Sequence, residues 1–504
     1  LRARPARRTG DDHRPAPGGG TGAVPTIPGF AGAVLTAEDD GYEQGRTVWN
    51  GAVDRRPLCV ARCSGVADVV AALRFARERD LPLAVRSGGQ GIAGTSVCDD
   101  GVVIDLSPMK AIRVDPAGRS VHAEAGVVWK ELDGVTQLFG LATTGSIHSG
   151  TGIAGMTLGG GVGWLMRRHG LTVDNLLEVE VVGADGQVLT AGETSHPDLF
   201  WGLRGGGGNF GIATSFTYRL HPVGPEVLAG SVLWPMDDAP ALLRYYREFA
   251  ATAPPEVGTV VTLRRAPDAS ALPPELRGRP VCIVDMAYLG DPGAGEDALA
   301  PLRGIRRPLL DGVDLRPYTA LQSMVDALAP RGWHYSVKAA DLTPLADPVA
   351  DVIVEHAWRS TSPRSYTSIY HLGGAIAAAG ENATAYSHRD AAHSAVIVGA
   401  WLPHEALAAR ETAWVRGFFG ALQPYEAGAS INFLDRDDQE RVPSAYGGDT
   451  YRRLQALKGR YDPGNVFRLD QNIAPVARVQ DAADRYTGRH ALRPPRAPGG
   501  LLPW

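Results

Sequence analysis

The chain has 504 residues, 44% of them apolar and 21% charged, with a formal net charge of -5 and a pI near 6.3. That length allows two or three domains with filled cores, and the near-neutral balance gives no electrostatic ground for binding nucleic acid or an anionic membrane. A small-molecule partner is therefore expected; no apolar run reaches membrane-spanning length, and the cysteines Cys59, Cys63, Cys98 and Cys282 read as buried thiols rather than a disulfide framework or a metal site.

Residues 1–28 carry Arg2, Arg4, Arg7 and Arg8 among prolines and glycines, with no apolar stretch of signal-peptide length. A disordered segment on a cytoplasmic protein is expected. Residues 41–45 show no clear period. The first clear strand is Leu58 to Cys63. Ser64 then reads as an N-cap for a helix in which Val66, Val69, Val70, Leu73 and Ala76 recur at helical spacing. The next strand, Leu81 to Val85, runs into Arg86-Ser87-Gly88-Gly89-Gln90-Gly91, with Thr95 and Ser96 beyond. This strand, helix, strand and glycine loop form a βαβ unit whose loop lies at a strand's carboxyl end, where open α/β sheets bind cofactors.

Strands are predicted at 102–106, 111–114 and 120–125, and helical character at 127–139. A second glycine segment follows, Thr151-Gly152-Ile153-Ala154-Gly155 to Gly159-Gly160-Gly161-Val162-Gly163. Residues 176–183 and 187–190 read as a hairpin turning at Ala184-Asp185-Gly186. A short helix at 198–204 leads into a third glycine cluster, 205–211, and a strand ending near Leu220. His221-Pro222-Val223-Gly224-Pro225 interrupts both periodicities and marks a boundary. Beyond it, strands at 260–264 and 281–288 alternate with helices such as 239–250, the texture of an α+β layer domain. The segments 451–458, 461–463 and 469–475 read as short and turn-rich, and Arg493 to Trp504 as a loose tail.

Glycines lack a Cβ, so backbone can approach a ligand and several N–H groups can converge on one anion, as a pyrophosphate requires. One such cluster is more often a tight turn than a site, but three clusters at strand ends point to a cofactor. Arg86 is open at this stage between a cofactor contact and an ion pair with an acidic neighbour.

The loop from Arg86 to Gly89, the run from Thr151 to Leu165 and Phe200-Trp201-Gly202-Leu203-Arg204-Gly205-Gly206 resemble the berberine bridge enzyme-like FAD-linked oxidases. Tyr461-Asp462-Pro463-Gly464-Asn465-Val466-Phe467 and Gln471-Asn472-Ile473-Ala474-Pro475 fit the same family, and the likeness runs from about Tyr42 to Pro475. The resemblance implies an α+β fold: a bipartite PCMH-type FAD-binding domain, at 29–223 and 432–478, around a substrate domain at 224–431 with an antiparallel sheet flanked by helices, leaving a tail at 479–504. It implies FAD contacts from Arg86, Ser87, Gly88, Gly89, Gln90, Gly91, Thr95 and Ser96. It extends them to Gly145, His148, Thr151, Gly152, Gly155, Gly160, Gly161 and Gly163, and to Gly211, Ile212 and Asn472.

The chain departs from the family pattern in three places. Many members have a histidine at the position of Gln90, bonded to the flavin 8α-methyl carbon; an amide is no usable nucleophile at neutral pH. Some have a flavin-linked cysteine where this chain has His148. Noncovalent FAD is the resulting expectation. A tyrosine that takes the substrate's proton commonly stands two residues before the Asn-Phe pair; before Asn432-Phe433 that position is Ser430. The base is therefore sought among Tyr370, His371, Tyr386 and His388, with Tyr446 and Glu355 as lesser candidates. The resemblance implies an oxidoreductase that removes a hydride from a small organic molecule, an alcohol, sugar or secondary-metabolite scaffold, with reoxidation by oxygen. The alternative is a non-redox cyclase or isomerase in which flavin is architectural.

Overall fold

The computed structural model describes residues 26–476 except 269, 271 and 343. The expectations for residues 1–25 and for 477–504 lie outside the described residues, while Ile27 is already buried in the first core.

Three sheets organise the chain. In the first, Ala33–Leu35, Cys59–Arg62, Val102–Asp105 and Leu83–Arg86 lie side by side in that order, the last three parallel. The crossover helix Val66–Glu78 buries Val69, Ala72, Leu73 and Ala76, as its spacing predicts. Strand Val102–Asp105 inserts between the two strands of the βαβ unit, so they are not neighbours. The helix start differs from expectation. Gly65 is the cap, and Asp68 reaches back instead: its Oδ2 accepts from the Ser64 N–H at 2.8 Å and from the Ser64 hydroxyl at 2.6 Å. The carboxylate thus serves N–H groups that have no helical partner. The second sheet is antiparallel, in the order Ile112–Asp115, Ser120–Glu124, Ile212–Arg219, Leu176–Val182, Val188–Gly192, the last two forming the expected hairpin.

Among the described residues the third sheet has nine strands, with Leu310–Asp311 and Asp314–Pro317 paired to Glu226–Pro235 at one edge and Glu426–Gly428 at the other. Its centre runs Pro280–Tyr288, Val257–Arg265, Tyr366–His371, His393–Trp401, His334–Leu342, all antiparallel. Side chains alternate between the faces of a strand, and here both faces are covered. Val261, Val284, Ile369 and Ile397 pack under the helices Ala239–Thr252, Asp347–Trp358 and Ala408–Leu422. Their neighbours Val260, Tyr370, Val396 and Val398 point the other way, toward Ile147 and Trp164.

This sheet is fastened directly to the glycine-loop region. Gly51 N–H bonds to the Trp333 carbonyl and Gly332 N–H to that of Trp49. The Asn50 amide pairs with both backbone groups of Tyr335 at 3.0 Å, and Trp49 stacks on the Tyr335 ring at 3.9 Å. Arg331 Nη2 donates to the Gly88 carbonyl at 2.7 Å.

One local reading needs correction, and one stretch left unassigned takes a structure. Residues 451–458 belong to a helix, Gly448–Tyr461. Its buried stripe is only Leu454, Leu457 and Lys458, too narrow to stand out among charged neighbours. Residues 41–45, without period in the sequence, lie in a short helix, Tyr42–Arg46, anchored by Tyr42 whose hydroxyl donates to the Pro57 carbonyl at 2.6 Å.

Candidate active site

A cavity of about 360 Å³ lies between the glycine segments and the third sheet. Strand Leu83–Arg86 delivers the chain into it. Ser87 through Gly91, Thr95 and Ser96 all line it. From Gly88 to Ser96 the only backbone N–H that bonds to another residue, among the described residues, is that of Gly94, to the Gly91 carbonyl at 3.1 Å. Unpaired N–H groups carry a free-energy cost unless something accepts from them. Gln90 Oε1 and Ser96 Oγ are also buried without a partner. The first two glycine segments meet backbone to backbone: a Cβ on Gly88 would stand 2.5 Å from Gly152 N, and a Cβ on Gly152 2.5 Å from Gly88 N. These donors, on backbone that no Cβ shields, fit the phosphates of a dinucleotide.

His148, Thr151, Gly152, Gly155, Gly211 and Ile212 line the same space. The short helix Ile153–Leu158, which starts after Gly152, rises beside it. The C-terminal segment closes it with Phe467, Leu469, Asp470 and Gln471, held by Lys458. That ammonium is fully buried and donates to the Phe467 carbonyl at 2.8 Å, the Asn209 carbonyl at 2.7 Å and Asp462 Oδ2 at 2.7 Å.

Other expected cofactor residues stand outside the lining. Arg86 is buried and forms a bidentate pair with Asp105, Nε at 3.2 Å and Nη2 at 2.8 Å, so it makes the ion pair with an acidic neighbour and does not line the cavity. Gly145 and Gly163 touch each other: a Cβ on Gly163 would lie 1.5 Å from the Gly145 carbonyl oxygen. Gly160 makes room for the Tyr386 ring and Gly161 for Thr172. These four glycines serve close packing of the walls. Asn472 Oδ1 is buried without a partner but does not face the cavity.

The proton-acceptor candidates are separated by strand alternation. Tyr370 faces the cavity, with its ring 6.2 Å from Phe433. His371, the next residue, faces the helices: its Nε2–H donates to the Ala250 carbonyl at 3.1 Å and its Nδ1 lies 3.4 Å from Thr259 Oγ1. Burial there holds it well below the usual histidine range. Tyr386 is buried behind Gly160, and burial raises its phenol, a rise opposed in part by Arg389 and Ser430. His388 lies away from the cavity, its Nε2–H donating to the Ser444 carbonyl at 3.2 Å. The Tyr446 hydroxyl reaches the Gly205 carbonyl, and Glu355 pairs with Arg359 on the surface. Of the six, Tyr370 alone meets the cavity.

Ser430, Asn432 and Phe433 do line it. Asn432 Nδ2 donates to the Met156 carbonyl at 3.0 Å, and the absence of a Cβ at Gly159 leaves room for this amide. Sequence reasoning missed Tyr366, which stands four residues before Tyr370 on the same face, a signal that period-two alternation could have supplied. It also missed Asp285, buried in an otherwise apolar strand. Asp285 Oδ1 accepts from the Ser231 hydroxyl at 2.5 Å, and burial raises its carboxyl to about 6, with Ser231 and Arg264 opposing. His148 is pushed below its usual range by burial, with Asp326 opposing.

A family described as FAD binding domain matches residues 57–192, and one described as berberine and berberine like matches residues 429–474. The chain is 30% identical over 460 residues to (R)-6-hydroxynicotine oxidase of Paenarthrobacter nicotinovorans, covering 88% of this chain and 97% of that protein. It is 30% identical over 455 residues to an FAD-linked oxidoreductase of Dictyostelium discoideum, covering 88% and 95%. The crystal structure of 6-hydroxy-D-nicotine oxidase from Arthrobacter nicotinovorans superposes with a TM-score of 0.81 at 27% identity, over 89% of this chain and 98% of that one. Physcomitrella patens BBE-like 1 shares the fold, with a TM-score of 0.80 at 22% identity over 89% and 98%.

Proposed function

The chain belongs to the berberine bridge enzyme-like family of FAD-linked oxidoreductases, and from that premise we propose that it is an oxidase of a small organic molecule that holds its FAD without a covalent tether. The observation that carries this reading is the continuous cavity joining the glycine loops to the Tyr366–His371 strand. FAD, when bound, supplies the two-electron oxidation, accepting hydride from a substrate C–H bond at N5 and passing the electrons to molecular oxygen.

The chain's own residues supply binding, orientation and exclusion of water. Ser87 to Gly91, with Thr95, Ser96, Thr151 and Gly152, offer the donors for the phosphates. Gly155, Gly211 and Ile212 leave the adjoining wall smooth and apolar for a flat ring. Gln90 and His148 stand where family members carry attachment residues; the Gln90 amide is no usable nucleophile at neutral pH, and His148 is taken as a loop histidine beside the ring. Tyr366, Tyr370, Val396 and Val398 form the opposite wall, against which a substrate would lie. Tyr370 is the one candidate that reaches this wall, and because burial raises its phenol it keeps its proton there and serves to hydrogen-bond and orient the substrate rather than to remove a proton as phenolate.

The test is an absorbance spectrum of the purified protein before and after acid precipitation. A yellow protein whose colour passes to the supernatant is expected. Colour retained in the pellet would overturn the noncovalent reading, and a folded, colourless protein that refuses added FAD would overturn the whole. Catalysed conversion of a substrate without anaerobic bleaching would favour the non-redox alternative.

A further inference from the structure

Beside Tyr370 a second, much smaller chamber of about 20 Å³ opens from the same region and shares Ile147, His148, Tyr366 and Tyr370 with the main cavity. A space of that size holds one heavy atom or one water. Of the polar residues that line this chamber but not the main cavity, two keep a group without a partner. Trp164 is 3% exposed, and its Nε1–H has no hydrogen bond. Asp285 is 5% exposed, and while its Oδ1 accepts from Ser231, its Oδ2 bonds to nothing among the described residues. Thr262 and Ser368 bond each other at 2.9 Å, and the Tyr366 and Tyr370 hydroxyls belong to the wall shared with the main cavity. Both orphans reach the chamber by strand and loop geometry. Asp285 pairs in register with Val260, and Val260 with Tyr370, so all three share the cavity-facing side of the sheet.

An orphaned buried acceptor and an orphaned buried donor around a one-atom space define what can sit there. An ammonium only donates, so it leaves the indole N–H unpaired. A carboxylate only accepts and meets Asp285 as a like charge. A hydroxyl donates and accepts at one oxygen. We propose that this chamber is a subsite for a hydroxyl group of the substrate, with Asp285 Oδ2 accepting its O–H and Trp164 Nε1–H donating to the same oxygen. This deepens the oxidase reading, on which it rests for the substrate's position between the loops and the sheet. It makes Asp285 and Trp164 determinants of specificity that the glycine motifs do not reveal.

The experiment uses the full chain supplied with FAD, titrated by calorimetry at pH 8 with benzyl alcohol, benzylamine, benzoate and toluene as shape-matched probes. Absorbance records FAD content in the same samples. The alcohol should bind about tenfold more tightly than the other three, as expected for a hydrogen bond to a charged acceptor. Asp285→Asn and Trp164→Phe should each erase most of that preference while FAD content stays at the wild-type level. Equal affinity for alcohol and toluene would mean that the chamber holds only water, and a preference for the amine would assign it to a cation; either overturns the proposal. So would an alcohol preference that survives in both variants. Loss of FAD from the wild-type protein would instead strike the oxidase reading, since calorimetry still reads the chamber without flavin.

Discussion

Replacing Lys458 by methionine isolates the bond between the C-terminal segment and the cavity. The side chain keeps its length but loses its charge and its three acceptors, the Asn209 and Phe467 carbonyls and Asp462. Asp462 would then remain as a fully buried carboxylate supported only by the Val466 and Phe467 N–H groups, at 2.8 and 2.9 Å. Removing one partner of such a pair costs about 3–5 kcal/mol, a large share of the roughly 5–15 kcal/mol that holds a domain folded. Phe467, Leu469, Asp470 and Gln471 follow directly on this anchor and form one cavity wall, so FAD affinity should fall together with stability. Urea unfolding with and without FAD measures both. The double variant Lys458→Met, Asp462→Leu should recover part of the loss, because no charge is then left unpaired. A Lys458→Met protein that loses less than about 1 kcal/mol and still retains its flavin would refute this account.

Gly88→Ala should abolish FAD binding without unfolding the chain, because its methyl would press on Gly152 backbone at 2.5 Å; unchanged flavin content after dialysis would contradict this. Asp133, whose Oδ2 accepts from Gln322 at 2.8 Å, is raised to about 7 by burial. The folded state therefore keeps its proton where the unfolded state has lost it, and stability falls as pH rises from about 4 to 7, by on the order of 4 kcal/mol at pH 7. Asp133→Asn should flatten that slope in unfolding curves at several pH values; an identical slope would sink the assignment. Arg389 grips Asp174 through Nη1 at 3.0 Å and Nη2 at 2.7 Å, so Arg389→Lys should cost about 1–3 kcal/mol in chemical denaturation, lysine being unable to reproduce the two-pronged contact.

What could be read from the sequence follows from which constraints are local. Gly88 and Gly152 were legible as part of one cavity wall because tight turns alone do not require an absent Cβ at one strand end after another. Strands of the second sheet such as Ser120–Glu124 were legible because they alternate, whereas in the third sheet only those near 260–264 and 281–288 were, its strands being buried on both faces and so without a period. Tyr370 and His371 could not be separated in advance, since one strand's alternation says that they face opposite ways but not which way is the cavity; the helices over Ile369 decide that. Gly160 and Gly163 looked like the cradle glycines, yet their room is taken by Tyr386 and the Gly145 carbonyl, partners distant in sequence. Asp285 and Trp164 carry no motif. Their meaning arises only when the strand containing Val260 sets them around one space.

The Asn50 amide, paired with Tyr335 much as a neighbouring strand would be, has a mechanical consequence. Together with the Trp49 and Gly51 backbone contacts and Arg331 on Gly88, it rivets the third sheet to the Gly88 loop. The two halves cannot swing apart like a clamshell at this seam without breaking these bonds at once, the buried Asn50–Tyr335 pair among them. Exchange of substrate and product must then proceed by motion of rim segments, and a residue that slows it should be sought on those segments rather than at a hinge.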